Sequence, residues 1–212
     1  MEDSRAAYNL KRILSDIGDR RLVAVTKNTG TDGVGYLFDA GHRVFGESRV
    51  KDAEPKIKVY PDAEWHMIGH LQGNKVRDAV RLFGWIDSID SLKLAEKVSR
   101  ECSAIGKTMD ILVQVNIGNE EKKHGFAVDE AVSAALGIAQ LHGMRIRGLM
   151  AIAPDVEAEK TRPYFREMKK LFKMIKKEIP TVDTLSMGMS NDYKVAIEEG
   201  STMVRIGTAL WR

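Results

Sequence analysis

Eight short apolar runs, separated by stretches of helical spacing, constrain this chain more than any other feature. They are RLVAV (21–25), HRVFG (42–46), EWHMIG (64–69), WIDSI (85–89), DILVQVNI (110–117), IRGLMAI (146–152), VDTLSM (182–187) and TMVRIG (202–207). Runs of this length, bounded by polar and turn residues, read as buried strands. Between them Phe165, Met168, Phe172, Ile175 and Ile179 step three and four residues at a time, in a helix that opens near Pro163 and stops at Pro180. A second helix carries Leu94, Ala95, Val98 and Cys102 behind a cap at Asp90 or Ser91, and a third carries Val128, Val132, Leu136 and Ala139 before Gly143. Leu10, Ile13, Leu14 and Ile17, ending at Gly18, place a further helix ahead of the first strand. Strand alternating with helix implies parallel strands joined by crossover helices. Eight such units predict an α/β fold, a (β/α)8 TIM-type barrel with its site at the C-terminal ends of the strands. A doubly wound open sheet is the alternative.

The chain has 212 residues, and no linker, repeat or low-complexity tract divides it, so residues 1–212 are expected to form a single domain. Lys and Arg number 33 against 30 Asp and Glu, with the signs intermixed, which argues against a nucleic-acid surface. The lone cysteine, Cys102, excludes an intrachain disulfide and a thiolate metal cluster. The opening MEDSRAAYNLKRIL has no apolar core of a signal peptide, and no stretch approaches the roughly 20 apolar residues of a membrane span. A cytoplasmic protein without membrane contact is expected.

Three features carry chemistry. Lys27 follows directly on the apolar run RLVAVT, at the C-terminal end of the first predicted strand. An amine desolvated at such a strand end is suited to carbonyl attack and Schiff-base formation; the alternative is a surface lysine that merely ends a strand. SMGMSND (186–192) offers Ser186, Gly188 and Ser190 as small hydroxyl and backbone N–H donors after the seventh strand. RIGT (205–208) offers Gly207 and Thr208 after the eighth, and barrels often build a phosphate site from these two loops. Arg205, inside the apolar run MVRIG, must either face the barrel mouth or pair with a barrel carboxylate.

Several stretches together resemble the pyridoxal phosphate homeostasis proteins, whose fold is like the barrel domain of alanine racemase. They are VAVTKN around Lys27, FGESRV (45–50), WHMIGHLQGNK (65–75), SIDSLKLAEK (88–97), ILVQVN (111–116), GLMAIAP (148–154), LSMGMSNDYKVAI (185–197) and GSTMVRIGTALW (200–211). The resemblance implies pyridoxal 5′-phosphate held by Lys27 as a Schiff base, a phosphate held by the loops at 186–190 and 205–208, and Arg205 at the ring nitrogen. It also implies a role in vitamin B6 and amino-acid homeostasis with little or no turnover, and enzymes that accept the cofactor as partners. Two departures bear on the site. Asn28 to Gly33 replace a Thr-Lys-Pro-like run after the lysine, and Ser48, near the cofactor, stands where the family usually has Asn.

Other features are assigned structural roles. His66 and His70 lie four apart, but strand spacing would not bring both rings onto one ion, so no metal site is expected from them. Asn74 and Lys75 read as a helix start that either is solvated or receives an anion, Glu120 to Lys123 as an exposed loop, and Met150, Met187, Met189 and Met203 as packing. A racemase would need a second base opposite Lys27, and no second domain is expected after Arg212 to bring one. The alternatives to a homeostasis protein are therefore an amino-acid racemase, a cofactor-free Schiff-base aldolase and an interaction protein. A monomer is expected.

Overall fold

The β-branched and leucine-rich runs all become parallel strands. The computed structural model describes residues 2–212, with side chains from residue 5 onward. Its strands are β1 (Arg21–Val25), β2 (Val44–Glu47), β3 (Glu64–Met67), β4 (Trp85–Ile89), β5 (Met109–Val115), β6 (Met144–Ala151), β7 (Thr184–Ser186) and β8 (Met203–Ile206). They pair in sequential order, and β8 returns to β1, closing the barrel. The open-sheet alternative is thereby excluded.

The helices are α1 (Glu2–Ile17), α2 (Thr31–Asp39), α3 (Val50–Val59), α4 (Val76–Leu82), α5 (Leu92–Ala104), α6 (Ala131–Ile138), α7 (Arg162–Glu178), α8 (Tyr193–Glu198) and α9 (Thr208–Trp211). Among the described residues, no helix is long and apolar enough to cross a membrane. In α7 Phe165, Met168, Leu171, Phe172 and Ile175 are buried while its lysines face outward. Each such side chain contributes about 1.5–3 kcal/mol when fully buried. Ser91, not Asp90, caps α5, its hydroxyl accepting from the Leu94 amide at 3.3 Å.

Two helix faces differ from expectation. α6 starts at Ala131, beyond Val128, and buries Ala131, Ala134, Ala135 and Ile138, leaving Leu136 exposed. The expected stripe of Val128, Val132, Leu136 and Ala139 is thus one residue out of register; small alanines, which a pattern search discounts, form the contact face. In α1 Leu14 is likewise exposed, and Ala6 joins Leu10, Ile13 and Ile17 in the core. Met189 is exposed as well, whereas Met150, Met187 and Met203 pack as expected.

Strand alternation divides the apolar residues into two cores. Leu22, Ala24, Phe45, Trp65 and Met67 pack outward against the helices, whereas Val23, Trp85, Leu112, Met150 and Met203 fill the barrel. The filling is tight enough that a Cβ on Gly46 would lie 2.7 Å from Val23 Cγ1. At the N-terminal end charged pairs and an aromatic plug finish the barrel. Arg21 pairs with Glu64, Arg145 meets Asp110 at 2.5 Å, and Arg147 bridges Asp110 and Asp183. The Arg21 and Arg147 guanidiniums lie 5.1 and 5.4 Å from the Trp85 ring.

Candidate functional site at the C-terminal mouth

Lys27, Ser48, Gly188, Ser190, Gly207 and Thr208 all lie just past the C-terminal ends of β1, β2, β7 and β8, and barrel closure makes these strands neighbours. The link between the ends of the chain is direct. The Trp211 indole N–H of α9 donates to the Val25 carbonyl at 3.3 Å, and Gly207 approaches so closely that an added Cβ would lie 3.4 Å from Val25 Cβ.

Lys27 itself is exposed, two residues beyond the end of β1. The expected burial of its amine by the chain is therefore corrected: Thr26 occupies the buried strand end, and Lys27 is exposed just past it. Its backbone is nevertheless fixed. The Lys56 ammonium of α3, itself buried, donates to the Thr26 carbonyl at 2.7 Å and to Glu47 Oε1 at 2.6 Å; the Thr26 hydroxyl donates to the same oxygen at 2.5 Å. After Lys27 the unusual segment closes at once, with the Thr29 amide bonded to the Thr26 carbonyl and α2 starting at Thr31. A side chain at Gly33 would collide with Thr29 Oγ1, so the tight turn demands glycine there.

Arg205 is wholly buried in β8 yet has no carboxylate partner among the described residues. It donates from Nη1 to the Ser186 carbonyl at 3.0 Å and hydroxyl at 2.5 Å, and from Nη2 to the Ala151 carbonyl at 2.8 Å. The barrel ion pair considered for it is thus replaced by three uncharged acceptors. Burial pulls its pKa down, opposed by the Asp87 and Asp192 carboxylates at longer range. Ser186 is consequently an Arg205 holder inside the barrel, fully buried, and not part of an exposed phosphate loop.

The loop proper begins at Gly188, whose φ of +96° favours glycine and whose carbonyl accepts from the Arg205 amide at 3.0 Å. Asp192 holds it from behind, accepting from the Met189 amide at 2.6 Å; burial raises the Asp192 pKa, with that hydrogen bond and Arg205 opposing. Ser190 ties the two loops together, accepting from the Ala209 amide at 3.2 Å. Gly207 and Thr208 form the other wall, Thr208 being exposed. Ser48 is half-buried beside β3: a Cβ on Gly69 would lie 2.4 Å from the Ser48 carbonyl oxygen.

Two further groups centre on His66 and His70, which sequence reading assigns structural roles without revealing their partners. In the barrel interior His66 lies between carboxylates, Nδ1 at 2.9 Å from Asp87 and Nε2 at 2.6 Å from Glu64, stacked on Trp85. Burial would lower its pKa, but Asp87 and Glu64 prevail and raise it. His66 and His70 do not converge, as expected from strand spacing. His70 instead meets Asp90 and His124 at the rim. The half-buried alternation Trp65-His66-Met67 marks His66 as inward-facing, but nothing local reveals Asp87 as its partner.

Comparison with known proteins agrees with this fold. The family model described as alanine racemase, N-terminal domain, matches residues 3–212. The pyridoxal phosphate homeostasis protein of Escherichia coli K12 is 39% identical over 196 residues, spanning 90% of this chain and 84% of its own length. PipY of Synechococcus elongatus PCC7942, in its structure with PLP bound, superposes with a TM-score of 0.89 at 33% identity, covering 98% of this chain and all of PipY. Alanine racemase of Clostridium difficile 630 shares the fold, at TM-score 0.82 and 13% identity, over 98% of this chain and 55% of the racemase.

Proposed function

This chain belongs to the alanine racemase N-terminal domain family, among its pyridoxal phosphate homeostasis proteins, and from that premise we propose that it binds pyridoxal 5′-phosphate at the C-terminal mouth and acts as an intracellular carrier of the cofactor with little turnover. The observation that carries this reading is Arg205, a buried guanidinium bonded to uncharged acceptors and to no carboxylate among the described residues, in a barrel whose adjoining strands end in a lysine and two small-residue loops.

The residues present fit the group. An exposed primary amine, a glycine in left-handed conformation beside a serine hydroxyl, and a second loop with glycine and threonine are the donor set for an aldehyde and a phosphate dianion. When bound, pyridoxal 5′-phosphate supplies an aldehyde that condenses reversibly with an amine, and a pyridine ring that withdraws electrons. Lys27 supplies that amine, on a backbone clamped by Lys56 and Glu47. Gly188, Ser190, Gly207 and Thr208 receive the phosphate, with Ser190 also setting the spacing of the two loops. Arg205, oriented by Ser186 and Ala151, is the residue that would offer an N–H to the ring nitrogen and so keep that atom free of a proton. A guanidinium hardly ever surrenders its own proton, so it donates there and does not protonate. An unprotonated ring is a weak electron sink, which disfavours racemase chemistry and suits a reversible tether. Ser48, past the end of β2 as Lys27 is past the end of the neighbouring β1, lines the side of the same mouth.

Purified protein is expected to be yellow, with a visible band that Lys27→Ala removes. Borohydride reduction followed by peptide mapping is expected to find the cofactor mass on the peptide carrying Lys27. Colourless protein that gains no band with added cofactor refutes the reading. Solvent deuterium entering the α-carbon of alanine at enzymatic rates would refute the low-turnover part.

A further inference from the structure

We propose that His70, Asp90 and His124 form a binding site for one divalent first-row transition cation of the zinc class, at the rim of the barrel mouth. The three come from the ends of three consecutive strands. His70 follows β3, Asp90 follows β4 directly, and His124 lies in the loop after β5. Their ligand atoms all lie within 4.8 Å of one another. Both imidazoles turn Nδ1 to the same carboxylate oxygen, Asp90 Oδ2, at 2.7 Å from His70 and 3.6 Å from His124.

Two histidines and one carboxylate on one face, with the remaining positions open, is a ligand set that borderline divalent ions accept. Reaching one ion asks for a rotation of the exposed rings. Their centroids lie 3.6 Å apart with planes at 10°, so the in-plane lone pairs run nearly parallel. A side-chain rotation of either histidine brings the two nitrogens to the separation of about 3.4 Å that bonds of about 2.0–2.1 Å in a tetrahedral site require. Both rings turn toward one carboxylate oxygen, and an ion bound by the two imidazole nitrogens and Asp90 would satisfy all three groups.

The positions are also pre-organised. Asp90 has only 7% of its side chain exposed. It sits between β4 and the Ser91 cap of α5. His124 is held through its backbone: the Gln114 amide donates to the His124 carbonyl at 2.8 Å, and Phe126 and Gln114 exchange a main-chain bond next to it. Gly125, at φ +129°, permits this approach, since a Cβ there would lie 2.6 Å from the Asn116 nitrogen. Lys123, next to His124 in the chain, is committed elsewhere, bonded to Glu120 Oε1 at 2.6 Å and to the Ala153 carbonyl at 3.2 Å.

The test is calorimetric titration of Zn²⁺ into tag-free, chelator-stripped, cofactor-loaded protein at slightly alkaline pH, where imidazole is neutral. One ion per chain is expected, with affinity falling at least about tenfold in His70→Ala, Asp90→Asn and His124→Ala. His124→Ala replaces a largely exposed side chain and is expected to retain the cofactor's visible band, which reports that it is folded. Wild-type protein that takes up no ion, or three variants that all keep wild-type affinity, would overturn the proposal.

Discussion

Lys56→Met tests the clamp behind Lys27. Methionine keeps most of the aliphatic stem in place, so the perturbation is the loss of the ammonium, not of packing. That ammonium is buried, and its partner Glu47 is fully so, with Oε2 already lacking any hydrogen-bond partner. Removing one member of a buried pair strands the other's charge, at about 3–5 kcal/mol. For a chain of this size each kcal/mol moves the melting temperature by about 2–4 °C, so a drop on the order of 10 °C is expected in thermal melts. Replacing both members, in Lys56→Met with Glu47→Leu, removes the stranded charge and is expected to recover most of the stability. The Thr26 carbonyl, however, still lacks its donor at 2.7 Å, and the Thr26 hydroxyl lacks its acceptor. Charge-assisted bonds of this kind are worth about 1.5–3 kcal/mol, which bounds the weakening of cofactor binding at roughly tenfold to hundredfold. Titration followed by visible absorbance separates the two effects. A Lys56→Met protein that melts within a degree or two of wild type, or a double variant that binds cofactor as wild type does, would refute the reasoning.

Gly188→Ala forces a Cβ to 2.6 Å from Ala196 Cβ at a φ of +96°, and is expected to cost about 1–3 kcal/mol and to weaken cofactor binding, read by urea unfolding and absorbance titration. Ser190→Ala removes the acceptor of the Ala209 amide; a loss of about 1 kcal/mol and a raised cofactor Kd are expected, and an unchanged Kd would remove Ser190 from the site. His66, raised above its usual 6.5, adds stability that is present below that value and is lost as pH rises through its folded pKa. Melting temperature should therefore fall on the alkaline side, less so in His66→Gln, and nitrogen NMR should find the ring still doubly protonated above pH 6.5; a neutral ring there would contradict the Asp87 and Glu64 pairing.

Much of this architecture is legible in the chain itself. Eight apolar runs with intervening helices suffice for a parallel sheet covered by helices, because each strand must be covered on both faces and only crossover helices join parallel neighbours; pairing of β8 with β1 decides for the closed barrel over the open sheet. The same order places Lys27 and the loops around Gly188 and Gly207 at one end, and the positions of Arg205 and Thr208 follow. Strand and helix bounds, and the faces of α1 and α6, were less legible, since alanine contributes to a packed face without a strong apolar signal. What only the tertiary structure decided are the pairings among distant residues: Lys56 with Glu47 and Thr26, His66 with Asp87, Ser186 with Arg205, and His70 with Asp90 and His124. Periodicity reports which way a residue faces, a local property of a repeating backbone. Which groups then meet depends on strand register and barrel closure, and these are set jointly by residues far apart in the chain.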